Sequence, residues 1–323
     1  MVNANAASIS GFQPQTVFGI DFSGAAMAGE NAWIAEMEVT PPPRKNGFRE
    51  NSPRKKPLPL KLINLRPLGK AAGGSERATV YSYLTERILA SRSALWGMDF
   101  PFGLPIELGL GDWPQQLRHV QDYSSDAKSY GRDLVGIARS IGDSLHIRRE
   151  TDRETKTPFD CYHYRIIYQT FHGMRDVLSV IAGDEDTFVL PFDYPRFQRR
   201  SQRVFQNDTQ NSAENSASTT RIVVEACPSS TLKRLSLPHQ KYKQSGGKPP
   251  SDVQRANRRL MMTEISKTVE ISPHRRRIMM TNPGADALDA VIAGLGSWSA
   301  WHRDDHDILA AHPRYRFEGR VYC

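Results

Sequence analysis

Cysteine is scarce in this 323-residue chain: Cys161, Cys227 and Cys323 are the whole complement. Three thiols so scattered do not make a disulfide framework, so a reducing cytoplasm is the expected compartment. Long hydrophobic runs are missing too. Even RIIYQTFHGM is broken by polar groups every few positions, which leaves nothing apolar enough to span a bilayer. The first dozen residues have neither a basic start nor a continuous apolar stretch, so no secretory signal is expected. No internal repeat is visible. Acidic side chains are outnumbered, 35 against 43 Lys and Arg, for a net charge of +8. That excess favours an acidic partner, nucleic acid being the commonest, although solvated basic side chains give the same excess.

What remains is ordinary for a soluble globular protein, with 39% apolar and 24% charged residues. Residues 1–15 are small and polar and read as a flexible tail. TVFGIDF (16–22), AWIAEMEV (32–39) and PLKLINLRPL (59–68) read as three consecutive strands. Between the last two, PPPRKNGFRENSPRKKP is too rich in proline and charge for a core and marks an inserted loop at about 41–58. SERATVYSYLTERILA carries Val80, Tyr83, Leu84, Ile88 and Leu89 near helical spacing behind the N-cap candidate Ser75. SALWGMDFPFGLP reads as a short buried strand stopped by Pro101 and Gly103. Helices are expected over about 123–141 and along CYHYRIIYQTFHGMRDVLSVIAG. Residues 199–220 are of low complexity and read as a second, disordered insertion. RIVVEACPSSTLKRL reads as a strand entering a helix, ADALDAVIAGLGSWSAW as the last long helix and YRFEGRVYC as a final strand. Hairpins are antiparallel and helical crossovers make parallel pairs, so this order implies a mixed α/β sheet.

Three short apolar strands carry a carboxylate at or near their carboxyl ends: VFGID with Asp21, LWGMD with Asp99 and IVVE with Glu225. In sheets joined by helical crossovers those ends converge on one crevice. The last helix adds Asp286 and Asp289, three apart and so on one helical face. Converging carboxylates repel one another and need hard cations to neutralise them. All-oxygen ligation suits Mg²⁺ or Mn²⁺. Two such ions about 3.5–4 Å apart would clamp the attacking and leaving oxygens of a phosphodiester.

GIDFSG on the first strand, an acid on the fourth and DALDA on the closing helix resemble the RNase H-like superfamily, especially its Holliday-junction-resolvase branch. GIDFSGA, MDFPFGLP, EACPSS, NPGADALDAVIAG and EGRVY resemble more closely a family of predicted RNase H-like nucleases, domain of unknown function 429. RRETDRETKTPF and YRIIYQTFHGMRDVL fit that family as well, so the resemblance covers roughly 16–322. It implies an RNase H-like α/β fold, a mixed five-stranded central sheet flanked by helices, in one domain over 16–323. It also implies a divalent-metal-dependent nuclease with Asp21, Asp99 and Asp289 as metal ligands and Asp286 as a fourth. Glu225 departs from the resolvase pattern and stays open as metal ligand, general base or structural partner. Arg148 and Arg149, which precede a stretch shared with the family, are the expected phosphate contacts.

Two other classes compete. Actin-like ATPases and sugar kinases also place an Asp and a Gly-rich turn after the first strand, but MDFPFG is a poor second phosphate hairpin. A nucleic-acid-binding module without catalysis is the other. His302 and His306, four apart, lack a third zinc ligand and are expected at the surface. Cys227 is expected to be a small buried thiol rather than a nucleophile.

Overall fold

The computed structural model describes residues 12–40, 59–207 and 219–323, except the side chains of 203–207. The inserted loop at about 41–58 and residues 208–218 of the second insertion lie outside the described residues. Eight strands form one mixed sheet: β1 (Thr16–Asp21), β2 (Trp33–Val39), β3 (Leu60–Pro67), β4 (Ala94–Met98), β5 (Thr187–Leu190), β6 (Arg221–Ala226), β7 (Val269–Glu270) and β8 (Val321–Tyr322). Their order is β5-β6-β4-β1-β2-β3-β7, with β8 beside β6. The β1–β2 and β2–β3 pairs are antiparallel hairpins, whereas β1–β4, β4–β6 and β5–β6 are parallel, as their helical crossovers require. The expected five strands are thus present as β3-β2-β1-β4-β6, and β5, β7 and β8 extend them.

Burial follows from position in the sheet. The central strands β4 and β6 are buried at every residue, because helices cover both faces. On one face Phe18, Ile20, Trp96, Met98 and Val223 pack against the helix Arg77–Ala90 and the helical middle of the chain. On the other, Val17, Leu95, Ile222 and Val224 pack against Leu288, Val291, Ile292 and Leu295 of the closing helix, Asp286–Arg303. That helix lies on the sheet at backbone distance. A methyl group on Gly19 would collide with the Ala290 carbonyl oxygen and come within 2.5 Å of the Gly294 nitrogen. One on Gly97 would collide with the Ser297 hydroxyl and sit 2.9 Å from the Ala293 carbonyl oxygen. The two glycines, each two residues before an aspartate, therefore set how near the helix comes.

Several boundaries differ from expectation; the helix expected from Cys161, for one, begins at Ile167. Phe12 is a core residue, edge-on to Phe197 and Trp301, so the ordered chain begins before residue 16. Residues 199–207 continue the helix Tyr194–Asn207 rather than a disordered insertion, and Arg200 pairs with Asp186. The segment YRFE forms a short helix, Tyr315–Glu318, which leaves only Val321–Tyr322 as strand. Its Glu318 is completely buried and receives the backbone N–H groups of Ile106 and Glu150.

Candidate active site

Asp21 ends β1, and side-chain alternation sends it to the same face as Val17 and Gly19, the face of the closing helix. Asp99 follows β4 two residues after Gly97, and its N–H donates to the Ile20 carbonyl at 3.0 Å, which holds it beside the end of β1. Asp286 is the first residue of the closing helix and Asp289 the fourth, one turn deeper. Asp289 is completely buried; the Tyr242 hydroxyl donates to its Oδ1 at 2.9 Å, and the Lys243 ammonium stands against its Oδ2.

These groups feel one another. Burial raises the Asp21 carboxyl well above the usual carboxylate range; Lys243 opposes this, and Asp289, Asp286 and Asp99 add to it. Burial also raises Asp99, to about 7, against Lys243 and with the help of Asp289 and Glu225. Asp286 is raised for the same reason, with Lys243 opposing and Asp289 adding. Four carboxylates therefore share one electrostatic neighbourhood whose common counter-charge is Lys243. Among the described residues no three His, Cys, Asp or Glu side chains stand close enough together to hold a metal ion as placed. The donor chemistry nonetheless fits a hard divalent cation. The donors are carboxylate oxygens, and the buried Asp289 Oδ2 has as its partner a cation from the chain itself, the Lys243 ammonium.

Lys243 and Tyr242 have no counterpart in the sequence expectations. Their loop is held by Arg258, which is completely buried. Its guanidinium donates to the carbonyls of Tyr242 (2.8 Å), Asn282 (2.6 Å) and Pro283 (2.7 Å). One side chain thus ties the loop of Lys243 to the turn that starts the closing helix. The Lys243 side chain is half exposed, and lost solvation at its tip works against the ammonium, but Asp289, Tyr242 and Asp21 outweigh this and hold it firmly charged.

Glu225 does not join the cluster. It is in register with Met98, which belongs to the opposite face of the sheet, so alternation turns it away from Asp21, although it lines one small cleft with Asp99 and adds to the rise of that carboxyl. There Arg149 meets it as a bidentate pair, with Nη1 on Oε2 at 2.8 Å and Nη2 on Oε1 at 2.6 Å. The Phe102 N–H also donates to Oε2. Of the three roles left open, the geometry assigns Glu225 that of a structural partner. The expectation for Arg149 is corrected as well: its side chain is 1% exposed and bound to Asp152, Glu225 and the carbonyls of Gly103 and Glu318. Four elements meet on it, and no nitrogen is left to face a ligand.

Arg148 faces the other way. It lines a cavity of about 520 Å³ together with Arg153, Lys156, Lys233 and His239. That cavity shares Thr157, Pro158 and Phe159 with a small cleft of about 70 Å³ lined by Asp99 and Cys227. The cations that the sequence scatters between Arg148 and His239 thus adjoin the acidic edge. Cys227 is the buried thiol expected, pushed by its burial up to about 12. His302 is exposed, but His306 is not at the surface as expected: it is 2% exposed, with Nε2 3.1 Å from the Trp301 carbonyl. No family model, curated protein or solved structure matches this chain. No helix among the described residues is long and apolar enough to cross a membrane.

Proposed function

We propose that the protein is a divalent-metal-dependent nuclease on an RNase H-like fold, with Asp21, Asp99, Asp286 and Asp289 as the metal-holding groups. One observation carries the reading. Carboxylates from two parallel strands and one helix start are gathered at the same sheet edge, against their own repulsion, around a single lysine. Repulsion of this kind is tolerated where a ligand relieves it. Bound there, Mg²⁺ or Mn²⁺ would activate water and stabilise the departing oxygen of a phosphodiester. The chain's own part is to hold the carboxylates in place. Tyr242 fixes the orientation of Asp289, Arg258 fixes the turn before Asp286, and Gly19 and Gly97 let the helix bring both acids to the strand ends. Arg148 and the cations beside it would bind the substrate phosphates.

A second reading is favoured by the Lys243 contact. A lysine that neutralises Asp289 suits a nucleic-acid-binding module that does not cleave. The two separate in a screen of the purified protein against single-stranded, duplex and junction DNA and RNA with Mg²⁺ and Mn²⁺. The nuclease reading expects cleavage that needs the ion and disappears in Asp21→Asn and Asp99→Asn. Binding with no ion-dependent cleavage on any substrate favours the module. ATP hydrolysis without nucleic acid would sink both.

A further inference from the structure

A groove of about 700 Å³ opens between the helices Ala127–Ile141 and Ile167–His172, outside the acidic cluster. Its first wall is a stripe of the long helix. Lys128, Arg132 and Arg139 fall at i, i+4 and i+11, so their cations project along one face, all three exposed. The other wall is aromatic. Tyr164 is 71% exposed and Tyr168 41%, with Ile167 between them at the floor. No carboxylate is among the described residues lining the groove.

Exposed aromatic rings beside exposed cations are the features that bind single-stranded polynucleotides. Every base has a face that stacks on a ring, and the phosphates between bases meet the cations. A duplex hides those faces, and a flat anionic surface has nothing to insert between two tyrosines. The groove and the proposed reaction centre are built on one shared helical segment. Ile166 and Gln169 line the small cleft of Asp99, while Ile167 and Tyr168, between them in sequence, line the groove. Gly24, three residues beyond Asp21, rests on the Tyr168 backbone, where a methyl would lie 2.6 Å from the Gln169 nitrogen. Gln169 in turn donates to the Phe22 carbonyl at 2.6 Å.

Resting on the nuclease reading, we infer that this groove binds a single-stranded segment of the nucleic-acid substrate. Tyr164 and Tyr168 stack its bases, and Lys128, Arg132 and Arg139 bind its phosphates. The strand leads toward the acidic edge.

The test is fluorescence anisotropy of the full chain in chelator, so that no cleavage occurs. The probes are labelled 12-nucleotide single-stranded DNA and RNA and a 12-base-pair duplex. Both single strands or one of them should bind more tightly than duplex. Tyr164→Ala with Tyr168→Ala should weaken that binding at least about tenfold. Arg132→Ala with Arg139→Ala should flatten the dependence of log affinity on log salt by about 0.7 per lost phosphate contact. These side chains are exposed, so an unchanged melting temperature checks that the variants fold. The DNA and RNA arms identify the sugar. Absence of single-strand binding, or binding unchanged in both double variants, overturns the groove. Groove-dependent binding without ion-dependent cleavage overturns the nuclease reading and leaves the groove standing.

Discussion

Lys243 sets its ammonium against Oδ2 of the completely buried Asp289, while its own side chain is 53% exposed. The pair joins a surface loop to the one acid of these four that is completely buried. In metal-free protein, Lys243 offsets the repulsion that Asp21, Asp99 and Asp286 impose on Asp289. Lys243→Ala should therefore lower metal-free stability by about 1–3 kcal/mol, the cost of leaving a buried charge without its partner. Added Mn²⁺ should recover most of that loss. Denaturant unfolding with and without Mn²⁺ measures it, and a loss that Mn²⁺ leaves untouched would mean that no ion takes the place of the ammonium.

Gly19 and Gly97 carry a sharper structural prediction. Their Cβ positions are occupied by backbone and side-chain atoms of the closing helix, which must shift to admit a methyl. Gly19→Ala should cost about 3 kcal/mol or more, beyond ordinary overpacking because carbonyl Ala290 cannot rotate away. Gly136 is the control, since a methyl there meets nothing within 4 Å and Gly136→Ala should stabilise its helix by about 0.5–1 kcal/mol. Equal melting temperatures for the two variants would mean that the helix is not seated as described.

Arg149 and Glu225 should behave as structure, not as ligand contacts. Arg149→Met leaves Glu225 and Asp152 buried without their partner and should cost about 3–5 kcal/mol. Arg148→Ala should barely change stability but should weaken nucleic-acid binding and its salt dependence. An Arg149 variant with wild-type stability would contradict the buried pair.

The pH response follows from Asp99. Unfolded, its carboxyl titrates near 4; folded, at about 7, chiefly because it is buried. Across that interval the folded state holds the extra proton, so metal-free stability falls as pH rises from about 4 to about 7. Above about 7 this contribution is flat. Binding an ion must displace the proton, so Mn²⁺ should raise the melting temperature more at pH 8 than at pH 5. Asp99→Asn should make the metal-free profile shallower, while Asp21 and Asp286 keep their own raised contributions; a profile unchanged by that substitution would contradict the raised Asp99 carboxyl.

Much of this site is legible in the sequence. The repeated Gly-x-Asp of GID and GMD and the three-residue spacing of Asp286 and Asp289 identify four acids that the fold does bring to one edge. Glu225 is not legible in the same way. Its face depends on its register with Met98, and β6 has no glycine to mark which side the helix covers. Arg149 looks like half of an exposed basic pair, and only the assembled fold shows that Glu225, Asp152 and two carbonyls surround it. Lys243 sits in KYKQSGGK, where no periodicity distinguishes it from neighbouring lysines, and its position depends on the long-range reach of Arg258. The short strands β5 and β7 carry four and two residues, too few for alternation to declare them.

Titration of metal-free protein with Mn²⁺ near pH 8, counting bound ions by electron paramagnetic resonance, tests the central claim most directly. The wild type should bind about two ions. Asp289→Asn should lose them at every concentration, because its oxygen is the buried one. Asp286→Asn, altered where the helix only begins, should bind them again at high Mn²⁺. A wild type that binds no Mn²⁺, or an Asp289→Asn variant that binds as the wild type does, would contradict the assignment of this acidic edge as a metal site.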